Sequence, residues 1–205
     1  MSALSINEAV DSNYAKSKLE GEKNILKNFP LATILRPSIV YSVDDNFTTN
    51  FMTLLNRLPI FPLYYNGKTK FMPIHCSDLT DIIYYILKKN ILSKIVECVG
   101  PETISFKEIL EKLLRQINKK RILLPLPLPI AKLSAKLFEL LPNPLLTIDQ
   151  LNLLKYDNIL TGKYKSNFDI GCPSKRFFES EVNKYCYMWK DGGQYSKEEY
   201  KNKIW

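Results

Sequence analysis

A capped helix that stops at a proline and runs straight into a short apolar segment constrains this chain more than any other stretch. From Ser12 or Asn13, either of which can serve as N-cap, apolar and polar positions repeat with helical spacing through Ile25 and Leu26, and Pro30 ends the helix after Phe29. Ala32-Thr33-Ile34-Leu35-Arg36 then reads as a buried parallel strand, apolar without strict alternation. Tyr14 and Lys18 share one face of the helix. Their i, i+4 spacing lets an ammonium sit beside a phenol, which favours the phenolate, predicts a pKa below the usual ~10, and makes a general acid/base. Tyr64/Lys68, Tyr84/Lys88 and Tyr85/Lys89 have the same spacing. Context must therefore single out the first pair.

Further along, Val43-Asp44-Asp45-Asn46 is a polar turn that opens a helix through Phe51, Met52, Leu54 and Leu55 to Leu58, closed by Pro59. Residues 59–67, rich in proline and aromatics, read as a loop, and Lys70 to His75 as a short strand. Asp78 is expected to cap a helix running to Lys89, with Asp81 as its capping-box partner. Lys94 to Val99 is the next strand, broken by Gly100-Pro101. Ser105 to Asn118 is an amphipathic helix with apolar positions at 106, 109, 110, 113, 114 and 117. The Leu-Pro alternation of residues 124–129 holds the chain extended, because each proline fixes its own φ and pushes its predecessor out of the α region. A helix carrying Ile130, Leu133, Leu137, Phe138 and Leu141 follows, read as a packed lid or as a membrane-surface face beside Lys132 and Lys136. Phe177 to Trp189 suggests one more amphipathic helix.

The order of these stretches is informative. Ser-Ala-Leu at positions 2–4, then Tyr14 and Lys18, then Leu35-Arg36-Pro37-Ser38 resembles the second half of the short-chain dehydrogenase/reductase superfamily. Gly67-Lys68-Thr69, Pro73-Ile74-His75, Val99-Gly100-Pro101 and the Leu-Pro repeat narrow the likeness, over residues 1 to about 170, to the atypical extended branch of NAD-dependent epimerases/dehydratases that includes the Rossmann-type accessory subunit of respiratory complex I. The resemblance implies an α/β fold: the C-terminal half of a doubly wound parallel sheet in residues 1–100 with an excursion over 45–77, a small mixed α/β substrate-side domain over 101–190, and a polar tail over 191–205. It implies NAD or NADP as cofactor, with Tyr14 and Lys18 catalytic and in contact with the dinucleotide, and with Pro37, Ser38 and Ile39 against the nicotinamide. Ser2 would be the substrate-orienting hydroxyl. In active relatives that serine lies one position later, where this chain has Ala3, which favours binding over catalysis.

Three functional classes follow: an accessory subunit with a largely structural nucleotide, a working NAD(P)-dependent epimerase, dehydratase or reductase, and a basic surface-docking module. The 205 residues contain seven glycines and no Gly-rich strand-turn-helix of the kind that cradles a pyrophosphate, so the sequence reads as starting mid-domain. Four cysteines without a Cys-x-x-Cys pair and a single histidine predict no metal site. Net charge of +8 is spread along the whole chain, which argues against nucleic acid and leaves an acidic partner or an acidic membrane surface as the use of that charge, while the resemblance implies a respiratory complex as partner. No segment approaches the ~20 apolar residues of a membrane span. The expected location is cytoplasmic or peripheral to the inner membrane. His75 and Asp78 are read as structural.

Overall fold

The computed structural model describes residues 1–127, 129–130 and 147–193. In chain order they form α1 (Asn13–Asn28), β1 (Ile34–Pro37), β2 (Val40–Tyr41), α2 (Thr48–Arg57), β3 (Ile60–Leu63), β4 (Lys70–Phe71), β5 (Ile74–His75), α3 (Cys76–Lys88), β6 (Ile95–Cys98), β7 (Ile104–Ser105), α4 (Phe106–Gln116), β8 (Ile122–Pro125), α5 (Ile148–Leu153), β9 (Lys165–Ser166) and α6 (Phe178–Asn183). The helix expected at 130–141 and most of the polar tail lie outside the described residues.

The first sheet is parallel, in the order β1-β6-β9, with Ile34 opposite Ile95 and Glu97 opposite Ser166. Residues 2–4 run along the free side of β1. Ser2 N–H donates to Leu35 O at 2.7 Å and Leu4 N–H to Pro37 O at 2.9 Å. Val96 and Cys98 pack with Leu35, Ile74, Leu79 and Ile82 on one face. On the other face, Arg36 forms a buried 2.6 Å ion pair with Glu22 of α1 and lies over the Tyr164 ring, 4.6 Å from its centroid. The neighbouring Glu97 is fully buried and accepts from Thr161 N–H at 3.0 Å. β9 therefore returns to this sheet from deep within the segment expected to form the small domain.

A second core gathers Met52 and Leu55 of α2, Phe61, Phe71, the apolar face of α4, and Phe178, Val182 and Tyr185. All six apolar positions read from the α4 stretch are buried, and the Ser105/Glu108 capping box fixes its start.

Four expectations are corrected. Residues 59–67 are not simply a loop, because Ile60–Leu63 pairs in parallel with Ile122–Pro125. Ile122 N–H donates to Pro59 O and Leu126 N–H to Leu63 O, so the extended Leu-Pro run finds its donors a partner. The strand expected over 70–75 is split at Met72-Pro73: β4 pairs with β7 and β5 with β2. α3 begins at Cys76 with His75 as N-cap, whose Nδ1 accepts from Ser77 N–H at 3.2 Å. Asp78 lies inside the first turn, where its buried carboxylate accepts from the backbone N–H groups of Lys175 and Arg176 and pairs with the Arg176 side chain. Asp81 also pairs with Arg176, at 3.2 Å, instead of closing a capping box. Finally, the 177–189 stretch is α6 followed by a separate 3-10 turn over Cys186–Trp189, interrupted at Tyr185.

Candidate functional site

A cavity of about 520 Å³ opens between the first sheet and the second core. One wall carries Ser2, Ala3, Tyr14, Pro37, Ser38 and Ile39, while Phe47, Phe51, Leu54, Phe61 and Phe106 line the opposite side.

Tyr14 is placed by the first turn of α1. Ser12 caps that turn by accepting from Ala15 N–H at 3.2 Å. The carboxylate of Asp149, from α5, then takes up the remaining donors: Ser12 Oγ at 3.0 Å, Asn13 N–H at 2.7 Å and Tyr14 N–H at 3.2 Å. An acid at the positive end of a helix is favourable. Asp149→Ala is expected to cost about 1 kcal/mol of stability in urea unfolding. An unchanged midpoint would show that Asp149 does not hold the turn.

Ser38 leaves β1 with its N–H donating to Cys98 O at 2.9 Å and its hydroxyl donating to Asn158 Oδ1 at 2.6 Å. Asn158 was not legible in the sequence as a site residue. Its own N–H donates to Lys70 O, its carbonyl accepts from Met72 N–H, and its amide reaches Leu4 O at 3.4 Å. It thus ties the cavity wall at residues 4 and 38 to β4 across a separation that no local pattern marks.

Of the residues read as a site, the fold brings Ser2, Tyr14, Pro37, Ser38 and Ile39 to one wall, whereas Lys18 is not among the cavity-lining residues. Its ammonium lies over the Tyr14 ring, 5.5 Å from the centroid. Partial burial pushes the Tyr14 phenol up. Lys88 stands over Tyr84 in the same way, at 5.8 Å, on the exposed side of α3. The same i, i+4 spacing thus gives the same ammonium-over-ring contact on both helices. Ser2 Oγ is buried without a hydrogen bond of ordinary geometry, close to the Glu22 carboxylate whose acidity it supports.

Other reactive groups are quiescent. His75 caps α3, packs edge-on to Tyr41 at 5.3 Å and has its pKa lowered by burial. Burial pushes the Cys98 thiol up to about 12, so it is not a nucleophile at neutral pH. Among the described residues no cluster could hold a metal ion, and no helix is long and apolar enough to cross a membrane.

The donor set beside Tyr14 is polar and uncharged: Ser2, Ser38 and Asn158 next to the flat face of Pro37. It fits the neutral amide and ring of a nicotinamide. It does not fit a pyrophosphate, for which the chain has no Gly-rich turn.

No protein-family model matches the chain. The curated proteins do contain relatives. The mitochondrial NADH dehydrogenase [ubiquinone] 1 alpha subcomplex subunit 9 of Arabidopsis thaliana is 27% identical over 78% of this chain and 43% of its own length. The Dictyostelium discoideum protein of the same name is 32% identical over 56% of this chain and 32% of its own length. The mitochondrial NADH-ubiquinone oxidoreductase 40 kDa subunit of Neurospora crassa is 26% identical over 78% and 42%. The chain spans less than half the length of these relatives. Among solved structures, dTDP-glucose 4,6-dehydratase from Bacillus anthracis in complex with NAD superimposes with a TM-score of 0.59 over 94% of this chain and 53% of its own, at 14% identity. RMD from Pseudomonas aeruginosa complexed with NADPH gives 0.59 over 86% and 55%, at 10% identity. The chain is thus similar in sequence to these complex I subunits, and it shares the α/β fold of the NAD-bound dehydratase and of RMD.

Proposed function

We propose that the chain serves as a NAD(P)-binding accessory protein of a respiratory complex of the complex I type, peripheral to the membrane, with the dinucleotide held rather than turned over. The names of its relatives and the dinucleotides in structures of the same fold support the partner and the cofactor. What carries binding over catalysis is the state of Tyr14. Its phenol is raised by partial burial, the nearby ammonium sits over the ring face, and the chain has Ala3 where the resemblance to active family members implies a serine. A general acid/base works best when its pKa lies near the working pH, and nothing here moves Tyr14 that way.

A bound dinucleotide would bring a nicotinamide able to exchange hydride. Pro37 and Ile39 would supply the flat apolar contact, Ser38 and Asn158 the hydrogen-bonding edge, and Lys18, whose ammonium lies over the Tyr14 ring, a cation for the ribose. Because the pyrophosphate finds no glycine cradle in these residues, the nicotinamide-side contacts alone give weak affinity.

The test has two arms. Tagged chain recovered from its host cells is expected to co-purify with respiratory complex I, and NADPH titration is expected to show binding weakened at least tenfold by Lys18→Ala and left nearly unchanged by Tyr14→Phe. Turnover of a sugar-nucleotide substrate that Tyr14→Phe abolishes would instead make this an enzyme.

A further inference from the structure

We infer that the inner part of the cavity takes an uncharged apolar chain of isoprenoid or long-chain alcohol type and excludes sugar nucleotides. The inference deepens the reading above, since it rests on the Tyr14 and Ser38 wall being the dinucleotide end and assigns the ligand for the rest of the same cavity.

Two observations carry it. The first is the lining. Among the described residues the cavity wall contains no Lys, Arg, His, Asp or Glu. Its inner side is a continuous set of phenyl rings: Phe51 lies 4.9 Å from Phe47, 5.9 Å from Phe61 and 5.3 Å from Phe106, edge to face, and Phe71 closes the row 6.4 Å from Phe106. Leu54 and Leu58 complete the rim. Such a wall rewards the burial of methyl and methylene groups and leaves sugar hydroxyls without partners.

The second is the backbone. A helix N-terminus is the usual way for a protein without cations to hold a phosphate. Four helices bring first-turn residues to this cavity, and each is already closed from within. Asp149 takes the α1 donors at Asn13 and Tyr14. Asp45 takes those of α2, accepting from Phe47 N–H at 2.6 Å and from the Thr48 N–H. Capping boxes close α4 with Ser105 and Glu108, and α5 with Thr147 and Gln150. Asp45 and Asp149 also place negative charge at those two helix ends. The polar side chains that remain on the wall, among them Ser2, Asn46, Asn50 and Gln150, are uncharged, and Ser38 and Asn158 bond to each other. A small neutral head such as a hydroxyl can share those hydrogen bonds, and a phosphate cannot be compensated by them.

The probes are farnesol, hexadecanoate and UDP-glucose, each titrated against the 205-residue chain with NADPH titrated in parallel. Farnesol is expected to bind saturably at one site and to raise the melting temperature, whereas UDP-glucose leaves both readouts unmoved. Hexadecanoate, with a carboxylate and no cation to meet it, is expected to bind at least tenfold more weakly than farnesol. Leu54→Trp, which fills the cavity, should weaken farnesol at least tenfold. Leu58→Lys keeps the argument testable if that variant unfolds, because residue 58 is exposed at the rim and can accept a charge; it should shift preference toward hexadecanoate by at least tenfold. Saturable UDP-glucose binding, equal affinity for farnesol and hexadecanoate in the unaltered chain, or farnesol uptake indifferent to both substitutions would overturn the inference. Farnesol binding without NADPH binding would instead remove the dinucleotide reading and leave this one standing.

Discussion

Arg36→Met is expected to destabilise the chain by about 3–5 kcal/mol, because it leaves the Glu22 carboxylate buried without its partner. Both side chains lie almost out of contact with water, and the guanidinium donates to the carboxylate through Nε at 2.8 Å and Nη2 at 2.6 Å. The pair links the face of β1 to α1, the helix that positions Tyr14. Urea unfolding measures the loss, and the double variant Arg36→Met/Glu22→Leu should recover most of it, since two apolar groups can replace a buried pair with little net change. The pH dependence has a defined sign. Burial opposes ionisation of Glu22, but the Arg36 hydrogen bonds and charge prevail and hold its pKa below the ordinary 4.5. A depressed carboxylate contributes stability that is present above its unfolded pKa and is lost as pH falls through the folded one. The gap between wild type and Arg36→Met should therefore be full at neutral pH and shrink below about pH 4.5 as Glu22 takes a proton. A gap constant down to pH 3 would show that the variant acts by cavity formation alone.

Gly100→Ala is expected to cost about 3 kcal/mol or more through overpacking at a site that cannot yield. A Cβ at this position would lie 1.8 Å from the carbonyl oxygen of Pro73, a backbone atom, and Gly100 N–H already donates to Met72 O at 3.1 Å. The bare glycine allows the chain leaving β6 to pass directly over the segment between β4 and β5. Gly21→Ala is the matched control. Nothing lies within 4 Å of its added Cβ, so in the middle of α1 it should stabilise by about 0.5–1 kcal/mol. Thermal melts of the two variants should move in opposite directions. A neutral Gly100→Ala would mean that the 73–100 crossing is looser than the structure shows.

The features legible in the sequence are those fixed within a few residues. Ser12 capping α1, Pro30 ending it, the Ser105/Glu108 box and the six apolar positions of α4 all follow from spacing, and spacing survives folding. Features that depend on a distant partner were not legible. Ile60–Leu63 reads as loop because two prolines flank or enter it, and only its pairing with residues 122–125 makes it a strand. Asp78 has the position of a cap but serves the chain almost a hundred residues later, at Lys175 and Arg176. The candidate site shows the same division. Tyr14, Pro37 and Ser38 were read from ordered motifs and lie together, while Asn158 and Asp149, which hold them in place, leave no local trace. Lys18 was legible as a neighbour of Tyr14, but spacing could not reveal that its ammonium would settle over the ring instead of beside the hydroxyl.

The return of residues 149–166 to the beginning of the chain has a consequence for biosynthesis. Asp149 closes the first turn of α1, Asn158 reaches Leu4 and Ser38, and β9 supplies the outer strand beside β6. A ribosome releases the N-terminal helix and strands long before any of these clasps exist, so the order of emergence runs against the order of closure. Until residue 166 is free, the nascent sheet presents an open edge, and Glu97 waits for Thr161 without its hydrogen bonds. Throughout that interval the edge of β6 is open to pairing with another chain.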